Sequence, residues 1–215
     1  MKKRILCYGD SNTWGYMPNT GQRFPEEVRW TGVLAKALGE EYRVLENGIN
    51  GRTTVWDEPF AEYRNGRKGL GYAINSVRPV DFVIVMLGTN DLNYTDAYGY
   101  YKGMALLAGC IMNGTACYPG TEPVFREQPR LLLVSPIHLS AQVKERRPEI
   151  HLADKYEESL KLAGYTKLLA EEIGADWMDG AEFARAEEKD CLHMDAENHK
   201  KLGLAIAEKV KAIWG

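Results

Sequence analysis

Five short runs of apolar residues, separated by longer segments along the whole chain, constrain the fold more than any other feature. The runs cover residues 5–8, 42–46, 82–87, 131–135 and 175–178. They are nearly continuous in apolar character, which is typical of parallel strands covered on both faces. Because these strands alternate with helical segments, the sequence predicts an α/β fold: a three-layer sandwich around a parallel sheet of about five strands.

The segments between the runs show helical spacing of apolar residues. Residues about one turn apart predict helices over 28–38, 162–173 and 202–213, each with one buried face. The segment 96–112 is a weaker candidate, because each of its three glycines costs a helix roughly 1 kcal/mol relative to alanine.

Two stretches, 113–129 and 136–153, are predicted to be long loops, which are often functional inside a compact domain. The chain has 215 residues. That length fits one domain over residues 1–215.

Charge and composition exclude several classes of partner. The chain has 27 basic and 30 acidic side chains, a net charge of −3, which gives no reason to expect nucleic acid or an anionic membrane. No apolar stretch approaches the ~20 residues of a membrane span, and the N-terminal segment is too short for a signal peptide. The four cysteines form no Cys-x-x-Cys pair, as expected for reduced thiols. We therefore expect a cytoplasmic protein that binds a small molecule, with no nucleic-acid or membrane partner.

Polar, glycine-bearing segments follow the predicted strands. Residues 9–11 follow the first strand, 47–53 the second and 88–91 the third, while 190–193 precede the last helix. Sites in open α/β sheets form at the carboxyl ends of the strands. The four segments are therefore predicted to share one rim of the sheet.

The residue types on this rim suit nucleophilic catalysis. Ser11 would lie at a strand-to-helix turn, where backbone N–H groups point at a ligand. A serine hydroxyl needs a base, and His193 is the best candidate because Asp190, three residues earlier, can accept from its Nδ1–H. The predicted catalytic residues are Ser11, Asp190 and His193.

An oxyanion that forms during attack on an ester needs donors placed in advance, each worth roughly 3–4 kcal/mol in a known example. Three candidates are available: the backbone N–H groups of Ser11 and Gly51 and the side-chain amide of Asn90. Gly51 suits the role because a residue without a side chain lets a substrate approach its N–H.

The four segments, in this order and with these separations, resemble the sequence blocks of the GDSL, or SGNH, hydrolase family. Gly9-Asp10-Ser11 resembles the first block, Gly51 the second, Gly88-Thr89-Asn90-Asp91 the third and Asp190-Cys191-Leu192-His193 the last. Segments 9–15, 28–34 and 51–54 are similar to the bacterial arylesterase/acyltransferase group of that family. One departure is that Asn12 stands where the family name implies leucine; we expect it to leave the triad intact.

The resemblance implies a flavodoxin-like sheet, no metal and no organic cofactor. It also implies a serine esterase or acyltransferase that acts on small short-acyl or aryl esters through an acyl-serine. Some relatives in the group form tight oligomers, which leaves a homo-oligomer open.

Four further residues are candidate substrate contacts: Asp10, Trp14, Trp56 and His138. Asp10 fits a structural hydrogen-bonding role better than a mechanistic one. The two tryptophans suit either core packing or a wall for an acyl or alcohol group. His138 follows the fourth strand and could face the site, whereas His151 and His199 are expected on the surface or in loops.

The sequence leaves two alternatives open. Within the family, the enzyme could be a carbohydrate deacetylase, a thioesterase or a lysophospholipase, because the triad does not distinguish these substrates. Outside it, a non-catalytic flavodoxin-like module could bind a phosphate-bearing ligand on the same rim. That second alternative leaves Asp190 and His193 without a role.

Overall fold

The five strands form one parallel sheet in the computed structural model, which describes residues 1–214. Their bounds are β1 Lys3–Gly9, β2 Tyr42–Gly48, β3 Phe82–Met86, β4 Leu131–Ser135 and β5 Asp176–Asp179. The order across the sheet is β2-β1-β3-β4-β5. The winding therefore changes direction between β1 and β3, the point at which doubly wound sheets open a crevice for a ligand.

Burial explains why the strands are visible in the sequence. The central strands β1, β3 and β4 are buried along nearly their whole length, whereas the edge strands β2 and β5 are mostly half-buried. Gly9 at the end of β1 pairs with Gly48 of β2 and with Met86 of β3. The segments that follow these three strands consequently begin at the same edge of the sheet.

Residues 1–214 contain eight α-helices. They are α1 Ser11–Trp14, α2 Trp30–Leu38, α3 Gly66–Val77, α4 Ala97–Met112, α5 Gly114–Cys117, α6 Val143–Arg146, α7 Tyr156–Ile173 and α8 Ala196–Trp214. Buried side chains of α3, α4 and α7 form the core on one face of the sheet, and those of α2 and α8 form the core on the other. The predicted three-layer α/β sandwich is therefore confirmed.

Two helices differ from the sequence-based expectation. The weak candidate at 96–112 is a full helix, because Tyr100, Met104 and Leu107 bury one face and Asp96 accepts a hydrogen bond from the Gly99 N–H at its start. Helix α3 was not predicted. Asn65 caps it by accepting from the Lys68 N–H.

One histidine lies elsewhere than predicted. His199 was expected on the surface or in a loop, but it is fully buried in α8, where its Nδ1 accepts from the Trp30 backbone N–H at 3.2 Å. Burial lowers the pKa of His199 to about 4, so this residue is a neutral part of the core.

The predicted loops contain only the short helices α5 and α6. Within residues 1–214, no helix combines the length and the apolar character needed to cross a membrane.

Candidate active site

The nucleophile candidate lies where β1 ends and α1 begins. Asp10 caps α1: its Oδ1 accepts from the Asn12 N–H at 3.0 Å, and its carbonyl accepts from the N–H groups of Thr13 and Trp14. Ser11 is thus the first residue of a one-turn helix at the rim, with only 8% of its surface exposed.

The structure brings Ser11, His193 and Asp190 into one hydrogen-bonded chain. The Oγ of Ser11 lies 3.1 Å from Nε2 of His193, and Nδ1 of His193 lies 2.8 Å from Oδ1 of Asp190. Because a carboxylate can only accept, the ring proton belongs on Nδ1 and Nε2 is free to accept from the serine hydroxyl. The arrangement is that of a nucleophile, a base and a residue that orients the base.

Asp190 is held firmly by the turn that it begins. Its Oδ1 also accepts from the backbone N–H groups of Leu192 at 3.1 Å and His193 at 2.6 Å. Cys191 adopts a φ of 68° inside this turn, a left-handed conformation that is uncommon for a residue other than glycine. Burial would raise the pKa of Asp190, but the hydrogen bonds from His193 and Leu192 and the proximity of the imidazole hold that pKa below its usual value.

An aromatic ring covers one face of the candidate base. Tyr16 stacks on His193 with 4.1 Å between ring centres and 29° between ring planes. Gly15 makes this possible, because its φ of 88° ends α1 and both its N–H and that of Tyr16 bond to the Ser11 carbonyl. The sequence did not predict this contact.

The Asn90 amide, one of the three candidate oxyanion donors, contacts the residues next to the other two donors, Ser11 and Gly51. The Asn90 amide donates to the Arg52 carbonyl at 3.1 Å and lies 3.5 Å from Oδ2 of Asp10. Arg52 directly follows Gly51, and Asp10 directly precedes Ser11. Within residues 1–214, the backbone N–H groups of Ser11 and Gly51 donate to no backbone acceptor in a loop or turn.

Gly51 has a φ of 76°, and a Cβ at this position would lie 2.7 Å from Nε of Arg64. Only glycine adopts such a backbone conformation without strain. The conformation of this loop therefore requires glycine at position 51.

Two buried polar groups hold the rim together. The Arg52 guanidinium donates to the carbonyls of Gly9 at 2.9 Å and Asn47 at 2.6 Å, so it joins the ends of β1 and β2. Asp91 accepts from the Thr54 backbone N–H at 3.0 Å, which joins the second block to the third. Neither role was predicted, although both residues lie within the motifs.

Burial also changes the acidity of two carboxyl groups on this rim. It raises the pKa of Asp10 to about 6 and that of Asp91 to about 7. For Asp10, the hydrogen bond from the Asn12 N–H and the nearby imidazole and guanidinium partly offset this rise. Asp10 is therefore a helix cap whose buried carboxyl is costly to ionise.

The other candidate substrate contacts pack against residues outside the triad. Trp14 is half-buried beneath the Arg23 guanidinium, 5.0 Å from the ring centre, and Trp56 stacks on Tyr94 at 6.4 Å. His138 lines a cavity of about 400 Å³ beside the loop that precedes Asp190. Within residues 1–214, no hydrogen bond or ring stacking joins these three side chains to Ser11 or His193, so their substrate contacts stay predictions.

Residues 1–214 contain no cluster of three or more histidine, cysteine, aspartate or glutamate side chains that could hold a metal ion.

Comparison with known proteins identifies the family of the chain. The sequence model of the GDSL-like lipase/acylhydrolase family matches residues 7–200. Among solved structures, a carbohydrate acetylesterase from Sinorhizobium meliloti is similar, with 33% identity over 99% of this chain and 100% of that one and a TM-score of 0.87. An aryl esterase from M. smegmatis is 31% identical over 98% of this chain and 99% of its own, with a TM-score of 0.86. No curated protein sequence matches the chain.

These similarities answer one of the questions that the sequence left open. A non-catalytic flavodoxin-like binding module is the wrong alternative, because the family and the similar structures are those of esterases. The chain belongs to the GDSL-like lipase/acylhydrolase family and is a carboxylic-ester hydrolase.

Proposed function

We propose that Ser11 is the nucleophile of this hydrolase, His193 its general base and acid, and Asp190 the residue that orients the imidazole. The observation that carries the proposal is the pair of contacts at His193: 3.1 Å from Nε2 to the Ser11 hydroxyl and 2.8 Å from Nδ1 to Asp190. Both are within the reach needed for proton transfer and for fixing the tautomer.

The reaction follows from this arrangement. Oγ of Ser11 bonds to the ester carbonyl carbon, the carbonyl π pair moves onto oxygen, and the serine proton passes to Nε2 of His193. The bond to the leaving oxygen then breaks, and that oxygen takes the proton from Nε2. Water repeats the sequence on the acyl-serine: it gives a proton to Nε2, the acyl–Oγ bond breaks, and Oγ recovers the proton as the acid leaves.

The oxyanion is bound, in this proposal, by the backbone N–H groups of Ser11 and Gly51 and by the Asn90 amide. Two hydrogen bonds support this assignment. The Asn90 amide is aligned by the Arg52 carbonyl, and the Ile49 N–H donates to the Gly9 carbonyl, which fixes the Gly51 loop against β1. Donors held in this way need little reorganisation when negative charge develops.

We propose small acetyl or aryl esters as the substrates. The similarity to an aryl esterase and to a carbohydrate acetylesterase, each over nearly the full length of both chains, supports this class. The acetylesterase similarity also makes an acetylated carbohydrate the second candidate substrate. No feature of the rim favours a thioester or a lysophospholipid.

We also propose that residues 1–215 form a single domain and that the enzyme transfers acyl groups to alcohols as well as to water. We propose further that the chain assembles into a homo-oligomer and works in a reducing compartment such as the cytoplasm. The free thiols of the four cysteines support the compartment. Ester formation in the presence of added alcohol, and mass in solution by light scattering, test transfer and assembly directly.

A matched panel of substrates tests the substrate class. The panel comprises p-nitrophenyl acetate, an acetylated sugar, an acetyl thioester and a lysophospholipid, each assayed for kcat/KM with wild type and Ser11→Ala. We expect hydrolysis of the first two, which falls to background in Ser11→Ala while its thermal midpoint is kept. A preference for the thioester or the lysophospholipid would overturn the substrate class, and equal rates in Ser11→Ala would overturn the nucleophile.

A further inference from the structure

The side chain of Asn12 contacts the backbone on both sides of His193. Its Oδ1 accepts from the Met194 N–H at 3.0 Å, and its Nδ2 donates to the Leu192 carbonyl at 3.3 Å. Asn12 is 3% exposed, and both bonds span about 180 residues of sequence. One buried amide thus joins the helix that carries the nucleophile to the turn that carries the base.

This pairing uses both ends of the amide. A carboxamide offers one acceptor oxygen and two N–H donors in a fixed plane. Here the oxygen accepts from one backbone N–H and the NH₂ group donates to one backbone carbonyl, as the peptide groups of two paired strands do. Leucine, which the family name implies at this position, has neither group. In this chain leucine would leave a largely buried N–H and a carbonyl without partners, which proteins rarely tolerate.

The other contacts of His193 act on its ring. Asp190 bonds to Nδ1, Tyr16 covers one face, and Ser11 lies at Nε2. None of these contacts fixes the distance between the backbone of α1 and the backbone of residues 192–194. The Asn12 amide does, and it is attached to the residue next to Ser11.

We infer that Asn12 is a positioning residue, which holds His193 in register with Ser11 so that the serine proton can pass to Nε2; this inference rests on the proposed function. Asn12 touches no reacting atom. It acts through His193, so its effect on turnover exists only while His193 acts as the base. An error of about 1 Å in such an alignment costs roughly a hundredfold in rate.

The test is a double-mutant cycle on the hydrolysis of p-nitrophenyl acetate. We expect Asn12→Leu to lower kcat roughly ten- to a hundredfold with KM within about twofold. In a His193→Ala background, the same substitution is expected to change the residual kcat by less than about twofold, because the group through which Asn12 acts is already absent. A role in folding alone would lower both rates by the same factor.

Thr13→Val is the matched control. Thr13 lies on the same one-turn helix and is fully buried, and its hydroxyl has no hydrogen-bond partner within residues 1–214. The substitution keeps the branched shape of the side chain and removes a hydroxyl that makes no hydrogen bond, so kcat is expected to stay within about twofold of wild type. If Asn12→Leu fails to fold, Asn12→Ser replaces it, since the smaller side chain leaves room for water at the two backbone groups.

The outcomes separate this inference from the proposed function. Loss of turnover in Asn12→Leu that disappears in the His193→Ala background supports the inference. A folded Asn12 variant with the turnover of wild type, or an equal loss in both backgrounds, overturns it while the triad stands. Unchanged activity in His193→Ala alone overturns the proposed function itself, and the inference with it.

Discussion

The effect of replacing Asp190 depends on how its carboxylate is held. Three donors converge on one oxygen, Oδ1: the backbone N–H groups of Leu192 and His193 and the Nδ1 of the imidazole. In Asp190→Asn, the amide oxygen can satisfy all three donors only if it takes the place of Oδ1, and its NH₂ group then takes the place of Oδ2. The imidazole keeps an acceptor at Nδ1 and therefore keeps its tautomer.

What Asp190→Asn removes is the negative charge. A hydrogen bond to a charged partner is worth about 1–2 kcal/mol more than a neutral one. The attraction between a carboxylate and the imidazolium that forms during attack is up to about 4 kcal/mol for a pair near the surface. A loss of about 2–4 kcal/mol corresponds to a roughly 30- to 1,000-fold lower kcat. That loss is smaller than the roughly 10⁴-fold loss that follows reversal of the tautomer in serine proteases.

The assay compares kcat for p-nitrophenyl acetate in wild type, Asp190→Asn and Asp190→Ala, with Glu188→Gln as a control. Alanine removes the acceptor as well as the charge, so Asp190→Ala is expected to lose more activity than Asp190→Asn. Glu188 is a nearby carboxylate with 80% of its side chain exposed, and its replacement should leave kcat within about twofold. Equal losses in the two Asp190 variants would contradict a role for the acceptor that asparagine keeps, and a fully active Asp190→Asn would contradict a role for the charge.

Three further predictions concern the surroundings of the triad. Tyr16→Leu removes the ring from the face of His193 and with it a cation–π attraction to the imidazolium, so kcat should fall roughly three- to tenfold. Tyr16→Phe keeps the ring and should keep a kcat near that of wild type, so equal losses in the two variants would contradict the prediction. Because burial raises the pKa of Asp91 to about 7, the stability that its protonated form contributes is complete below about pH 4 and is lost as pH rises through about 7. The thermal midpoint of wild type should therefore fall by a few degrees between about pH 6 and pH 8, and an equal fall in Asp91→Asn would contradict the assignment. Gly51→Ala should lower the free energy of unfolding by about 1–2 kcal/mol in a urea titration, because alanine is strained at a φ of 76° and its Cβ would crowd Arg64. An unchanged urea midpoint would contradict this strain.

The sequence predicted the strands well and placed the three candidate triad residues on one rim, for identifiable reasons. Buried parallel strands are short and almost wholly apolar, so β1, β3 and β4 are visible as runs of residues. The three-residue separation of Asp190 and His193 is local, and the turn between them makes their contact a near-neighbour interaction. The position of Ser11 follows from the end of β1 and the order of the strands.

The features that the sequence did not predict are contacts between residues distant in sequence and a helix whose apolar spacing is weak. The stacking of Tyr16 on His193 and the two bonds of Asn12 join residues that are far apart in sequence, and neither periodicity nor spacing reports such contacts. Helix α3 was missed because its three glycines weaken the apolar spacing. His199 could have been found: it lies one turn before Leu202 on the same buried face of α8.

The most direct test of Ser11 as the nucleophile is covalent labelling with an organophosphate ester that transfers its phosphoryl group to an activated serine. We expect one phosphoryl group per chain, on the peptide that contains Ser11, appearing in step with the loss of p-nitrophenyl acetate hydrolysis. We expect neither labelling nor hydrolysis in folded Ser11→Ala. A label on another side chain that tracks the loss of activity, or hydrolysis that persists in Ser11→Ala, would contradict this assignment.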